Sequence, residues 1–314
     1  MHLAGCIHQG NSLEFRQIKL IQLYKPNVDN LMKKIITLAL ITTWLHVSIA
    51  QELVQLNYVD KDNVTKQFEA KITKPSGANR KRAIVILHHK GGWKANTTNQ
   101  YAEFFAKNNI LSIEPRMFAT TSEHPLNHLS QVFSSLNYLA TRNDVDPNNI
   151  SIMGLSYGAS LSLYAATDWA SQKFAPNIKI KNILPLYPTC FFHEELIKGN
   201  PKFVNRMNDF SFPAKFHESW SHTPITIFSA GQDDYESRTP QPCQGLIKSI
   251  NDPAQKNLTK EVTFSKATHG WDIGSSYTNL EPLGCKMTKC NVTVTYDAET
   301  TSAVKAQLAE IILK

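Results

Sequence analysis

The sequence predicts an α/β domain with a mostly parallel central sheet and helices on both faces. Three observations predict it. Continuous branched apolar runs such as Ala83–Leu87 suit strands buried on both sides. Segments with apolar residues at helical spacing lie between those runs. The two kinds alternate along the chain, which is the pattern of a parallel sheet with crossover helices.

The elements follow in order. Leu53–Tyr58 and Lys66–Ile72 alternate enough for two strands joined by the polar turn Asp60–Asn63. Ala83–Leu87 is the first fully buried strand. Tyr101–Ala106 reads as a helix that Asn108 and Asn109 stop, and Ile110–Ile113 as the next strand. Leu126–Thr141 carries Leu129, Val132, Phe133, Leu136 and Leu139 at helical spacing. Ile150–Met153 is a strand and Ala159–Thr167 a helix. Ile183–Leu186, Ile225–Phe228 and Val262–Phe264 are strand-like, while Gln244–Ile250 and Thr301–Leu313 are helical. Phe191–Ser221 is long, polar-aromatic and without clear period. It predicts an insertion over the sheet's carboxyl edge, placed to act as a lid (191–221).

At 314 residues, 42% hydrophobic and 19% charged, the chain can bury one substantial core. Residues 51–314 are read as a single domain. The first fifty residues stand apart. Met32-Lys33-Lys34, the apolar run Ile35–Val47 and the small residues Ser48 and Ala50 form a secretory signal over 32–50, with cleavage after Ala50. The run is too short and too broken for a membrane span, so no stable membrane anchor is expected after cleavage. Residues 1–31 read as an upstream extension outside the fold. The form of the signal points to a periplasmic or secreted protein.

The net charge is +7, and Arg16, Lys19, Lys25, Lys33 and Lys34 contribute to it from the excluded segment. The remaining excess is mild and argues against a nucleic-acid partner. Arg80-Lys81-Arg82 is read as a solvated turn. Cys190, Cys243, Cys285 and Cys290 follow the signal, and an even count in an exported chain favours two disulfides. Short spacing favours Cys285–Cys290, and with it Cys190–Cys243; the other two pairings stay open. No ordered second set of ligands accompanies these cysteines, so no metal is expected.

Gly154-Leu155-Ser156-Tyr157-Gly158 joins the strand Ile150–Met153 to the helix Ala159–Thr167. A serine raised above a strand end needs a very tight, strained turn. Side chains two residues either side of it would meet the neighbouring backbone, hence glycine at both places. The turn also aims the helix's amino end at the serine. Ser156 is the candidate nucleophile.

His269 lies on the loop after Val262–Phe264, where it can accept the serine proton and return it. His88, His89, His124, His128, His193, His217 and His222 lack that position; those of the insertion read as solvated. The acid is expected after Ile225–Phe228, where Asp233 and Asp234 compete. Counting from Pro224 favours Asp233 and counting from Gly231 favours Asp234; Asp233 is the first choice. The order Ser, Asp, His is that of an α/β-hydrolase fold. An oxyanion hole needs two backbone N–H groups. Tyr157 supplies one, and Lys90, with His89 next, is the candidate for the other.

These residues resemble the dienelactone-hydrolase-like branch of the α/β-hydrolases over most of residues 80–275. The likeness rests on His88–Gly92, Gly154–Ala159, Asp233-Asp234 with Thr239-Pro240 and Cys243 beyond, and Ala267-Thr268-His269-Gly270-Trp271. The last segment is similar to the family's His-Gly-Phe-Asp ending, with Trp271 for Phe and Asp272 retained. The resemblance implies a compact domain that cleaves ester or lactone bonds of small molecules without metal or organic cofactor. The name-giving enzymes use cysteine as nucleophile; Ser156 is similar instead to the esterase or peptidase-like members. The competing readings are a secreted serine peptidase of this fold and a non-catalytic binding protein on the same scaffold.

Overall fold

A computed structural model describes residues 50–75, 77, 81–118 and 124–314. The upstream extension, and all of the signal segment except Ala50, lie outside the described residues. β1 (Ala50–Val59) and β2 (Thr65–Lys74) form an antiparallel hairpin in continuous register. At its turn the Asp60 carboxylate accepts the N–H groups of Asp62 and Val64, both at 2.9 Å.

β3 (Lys81–Leu87), β4 (Ile110–Pro115), β5 (Val145–Leu155), β6 (Ile183–Leu186), β7 (Ile225–Ala230) and β8 (Thr259–Phe264) complete an eight-stranded sheet. Its order is β1-β2-β4-β3-β5-β6-β7-β8, parallel from β4 through β8. Alternation along β3 explains why its whole run is apolar. Ala83, Val85 and Leu87 enter the core on one face, and Ile84 and Ile86 enter the core on the other.

Helix α1 (Asn99–Lys107) buries Tyr101, Ala102 and Phe105 in the second core, together with Val304 and Leu308 of the terminal helix (Ala298–Leu313). α2 (Pro125–Ala140) lies on the opposite face. Its apolar stripe is the one expected from the sequence, and Pro125 sits at its first position, where a missing N–H costs nothing. α3 (Tyr157–Ala165) and α4 (Asp168–Phe174) follow β5, and the Thr167 hydroxyl caps α4 by accepting the Ala170 N–H.

The insertion, read without a clear period, holds regular helices. It contains α5 (Cys190–Ile197) and α6 (Pro201–Asp209), and it buries Phe191, Phe203, Phe212, Phe216 and Trp220. Asn200 caps α6 through the Lys202 N–H, with Pro201 next in line. The Cys190–Cys243 disulfide ties α5 to the start of α7 (Gln244–Ser249). The basic cluster is also corrected. Lys81 and Arg82 open β3, Lys81 is buried, and Arg82 donates to the Leu313 carbonyl at 2.9 Å. Arg80 is outside the described residues.

Two strands had no counterpart in the sequence reading. β9 (Tyr277–Glu281) and β10 (Cys290–Val294) pair antiparallel as a separate ribbon. The Cys285–Cys290 disulfide ties the connection between them to the first residue of β10.

Candidate active site

β5 ends in the tight turn that the glycine spacing predicts. Ser156 has φ 51°, a left-handed value that costs a non-glycine residue energy. A Cβ on Gly154 would lie closer than 3.0 Å to the Gly158 carbonyl, and one on Gly158 would press equally on the Leu87 carbonyl. Both glycines are therefore required by the close crossing of β3, β5 and the first turn of α3.

The structure brings Ser156, His269 and Asp233 together. Ser156 Oγ lies 2.8 Å from His269 Nε2, and His269 Nδ1 lies 2.7 Å from Asp233 Oδ2. Since the carboxylate can only accept, Nδ1 carries the ring proton and Nε2 is free to accept from the serine hydroxyl. His269 and Asp233 are buried, and Ser156 is half-buried. Asp234, the competitor, turns away. Its carboxylate accepts from Arg238 Nε at 2.7 Å and from the Thr293 N–H of β10 at 2.8 Å. It anchors the ribbon rather than the imidazole.

Several groups hold the histidine and were not legible in the sequence. Asp272 is buried and accepts the hydroxyls of Tyr101 and Tyr187, each at 2.6 Å. Burial pushes the Asp272 carboxyl above its ordinary range, and the two phenol hydrogen bonds oppose that rise. Tyr187 also packs against the His269 ring, centroid to centroid at 4.9 Å. The Asp272 position was noted in sequence; its partners lie 171 and 85 residues away, beyond any local signal.

The loop after β3 is fixed by its own histidines. His88 Nδ1 donates to the His89 carbonyl (2.9 Å), and its Nε2 accepts the Met117 N–H (3.1 Å). His89 Nδ1 accepts the Gly91 N–H (2.9 Å), and its Nε2 faces the Thr97 hydroxyl (3.0 Å). Burial pushes both rings down to about 4, so both are neutral at neutral pH. The Lys90 N–H, between them, has no hydrogen-bond partner among the described residues. On the other side the Tyr157 hydroxyl shares a hydrogen bond with His128 Nδ1 at 2.7 Å. His193 and His217, expected to be solvated, are buried in the insertion; His222 is exposed and pairs with Asp252 at 2.7 Å.

Two cavities lie at the elbow, one lined by Ser156 and the other by the next residue, Tyr157. One, of about 370 Å³, is bounded by Ser156, His269, Tyr235 and the inner face of the β9–β10 ribbon. The other, of about 300 Å³, is bounded by Tyr157, Phe118, Tyr164, Phe192, Met207 and Phe210. Lys90 borders both. A roomier cavity of about 480 Å³ lies beside the Asp60 turn and α2, but no histidine lines it, so it offers no base for its serines.

Glu236 adds a buried carboxyl three residues beyond Asp233. It accepts the Phe191 N–H in the first turn of α5 (3.1 and 3.3 Å). Burial first, and the Asp233 charge second, push it well above its ordinary value of 4.5. The unfolded chain releases this proton near 4.5 and the folded chain keeps it to higher pH. The folded state therefore binds more protons in that window, and this group lowers stability as pH rises above 4.5. Glu236→Gln removes the effect while keeping an acceptor for Phe191. The urea midpoint of the variant is expected to fall less between pH 5 and pH 8 than that of the wild type; an equal fall would contradict the assignment.

No family model matches the sequence, and no curated protein matches it. Solved structures do. One described as a dienelactone hydrolase from Klebsiella pneumoniae is 12% identical, with a TM-score of 0.53 over 84% of this chain and 99% of that one. Est1E from Butyrivibrio proteoclasticus is 17% identical, with a TM-score of 0.53 over 82% and 100%. The hyperthermophilic esterase from the archaeon Pyrobaculum calidifontis is 14% identical, with a TM-score of 0.54 over 91% and 93%. At these identities the likeness is one of architecture. Strand order, parallel register and these neighbours together establish that the chain has the α/β-hydrolase fold.

Proposed function

We propose that this protein is an exported serine hydrolase that cleaves carboxylic esters of small molecules. The observation that carries the reading is the buried relay from Asp233 through His269 to Ser156, with both links at hydrogen-bond distance. A hydroxyl, an imidazole and a carboxylate in that order make the serine nucleophilic at neutral pH.

In the reaction Ser156 Oγ attacks the ester carbonyl while His269 Nε2 takes its proton. Asp233 keeps the imidazole in the required tautomer and steadies it once it is charged. The backbone N–H groups of Tyr157 and Lys90 face the negative oxygen. Losing one such donor would raise the barrier by about 2.7–4 kcal/mol. His269 then gives its proton to the departing alkoxide. Water, activated by the same imidazole, frees the acyl group and restores the serine. The aromatic wall of the second cavity, partly built by α5 and α6, suits an apolar acyl group and gives the insertion its role as a cover.

Export is supported by the 32–50 signal pattern together with the Cys190–Cys243 and Cys285–Cys290 disulfides, which persist in oxidising compartments. A panel of p-nitrophenyl esters and peptide p-nitroanilides tests the function. Short-chain esters are expected to be hydrolysed at least a hundredfold faster than peptide amides. The reverse preference would overturn the ester reading.

A further inference from the structure

The cavity lined by Ser156 and the one lined by Tyr157 differ in chemistry, and the proton path tells them apart. This step rests on the ester-hydrolase reading above. His269 must return its proton to the departing oxygen, so the alcohol portion lies on the side that His269 lines. That is the 370 Å³ cavity, whereas the aromatic cavity lacks His269 and takes the acyl portion.

The far wall of the alcohol side is the β9–β10 ribbon. Its register pairs Tyr277 with Val294, Asn279 with Val292 and Glu281 with Cys290. Alternate residues of a strand share a face. Tyr277, Asn279 and Glu281 thus look into the cavity together, while Leu280 between them is 58% exposed.

Glu281 is half-buried, and its carboxylate makes no ion pair or hydrogen bond among the described residues. Its charge is felt by both neighbouring phenols. Burial first, then Glu281, raises the hydroxyls of Tyr235 and Tyr277. The Tyr235 ring stands 4.4 Å from the His269 ring, centroid to centroid. An alcohol that takes its proton from His269 in this cavity therefore lies among Tyr235, Tyr277 and a carboxylate. Of the basic side chains, Arg206 lines the acyl cavity alone, whereas Lys90 borders both cavities.

We propose that the β9–β10 wall is a leaving-group subsite for an alcohol bearing a cationic, ammonium-type group, with Glu281 as its counter-charge and Tyr235 and Tyr277 as its aromatic walls. An aromatic face and a carboxylate together favour an alkylammonium over its uncharged isostere. Bond making is unchanged: the acyl group goes to Ser156, the serine proton reaches the alcohol oxygen through His269, and the ammonium group takes no part in the reaction.

The test compares choline butyrate, its uncharged carbon isostere dimethylbutyl butyrate, and glycerol monobutyrate as a neutral polyol ester. The wild type is expected to favour the cationic ester over its isostere by about tenfold in kcat/KM. In Glu281→Gln the ratio is expected to fall severalfold, to what the aromatic walls alone supply. Without any variant, tetramethylammonium chloride should compete with the isostere more strongly than sodium chloride at equal ionic strength. A wild-type ratio near one, an unchanged ratio in the variant, or preference for the polyol ester overturns the subsite while turnover of the isostere keeps the ester-hydrolase reading. Hydrolysis of none of the three overturns both.

Discussion

Ser156→Ala is expected to lower kcat for p-nitrophenyl acetate by about a million-fold. The reason is specific to the chemistry. Alanine leaves His269 and Asp233 in place but removes the atom proposed to form the covalent acyl intermediate. What remains is binding and polarisation by the N–H groups of Tyr157 and Lys90, which in comparable triads still gives about a thousandfold or more over water. The fold should survive, because the φ of 51° at position 156 is no harder for alanine than for serine, and the hydroxyl is half-buried. Steady-state kinetics with the thermal midpoint as a control checks both parts. A variant that folds normally and retains a tenth of the activity would remove Ser156 from the mechanism.

Asp233→Asn and Asp234→Asn should part by several orders of magnitude. An amide at 233 donates to His269 Nδ1, so the ring proton moves to Nε2, where the serine needs an acceptor. The expected loss in kcat is about ten-thousand-fold, as for the same change in other serine triads. At 234 the amide can satisfy the Thr293 N–H or the Arg238 guanidinium, but not both. The Arg238 contact joins an exposed guanidinium to a buried carboxylate. Whichever partner the amide gives up, the cost is about 1–2 kcal/mol of stability, with less than a tenfold change in kcat. Comparable activity losses in the two variants would show that 233 is not the orienting carboxylate.

The same pair shows where sequence reading stops. Both aspartates lie on the loop after β7, and spacing from Pro224 and from Gly231 pointed to different ones. Their difference is rotational: one carboxylate turns inward to His269, the other outward to β10, and the residue that claims Asp234 is Thr293, 59 positions away. By contrast β3, β5 and the turn between β5 and α3 were readable, because a strand buried on both faces must be apolar throughout and a crossing this close admits only glycine.

The ribbon β9–β10 escaped for the opposite reason. In β9 the inner face is Tyr277, Asn279 and Glu281, too polar to show an apolar alternation, whereas β10 alternates Cys290, Val292 and Val294 over only five residues. It is held by a disulfide, by Asp234 and by the buried Val292 and Val294. In the insertion, aromatic residues are buried without a regular period, since α5 and α6 are short and pack on several sides. The Asn200-Pro201 start of α6 was nevertheless a capping signal present in the sequence. Tyr101 and Tyr187, which brace Asp272 behind the imidazole, carry no local mark of that role.

The central claim is that the 156 hydroxyl is an activated nucleophile. The most direct measurement is to treat the folded protein with a fluorophosphonate, digest it, and locate the adduct by mass spectrometry. The expected result is one phosphonyl group on the peptide containing Ser156, formed far more slowly in His269→Ala. A folded protein that takes up no label, or takes it up on another residue, would contradict the account.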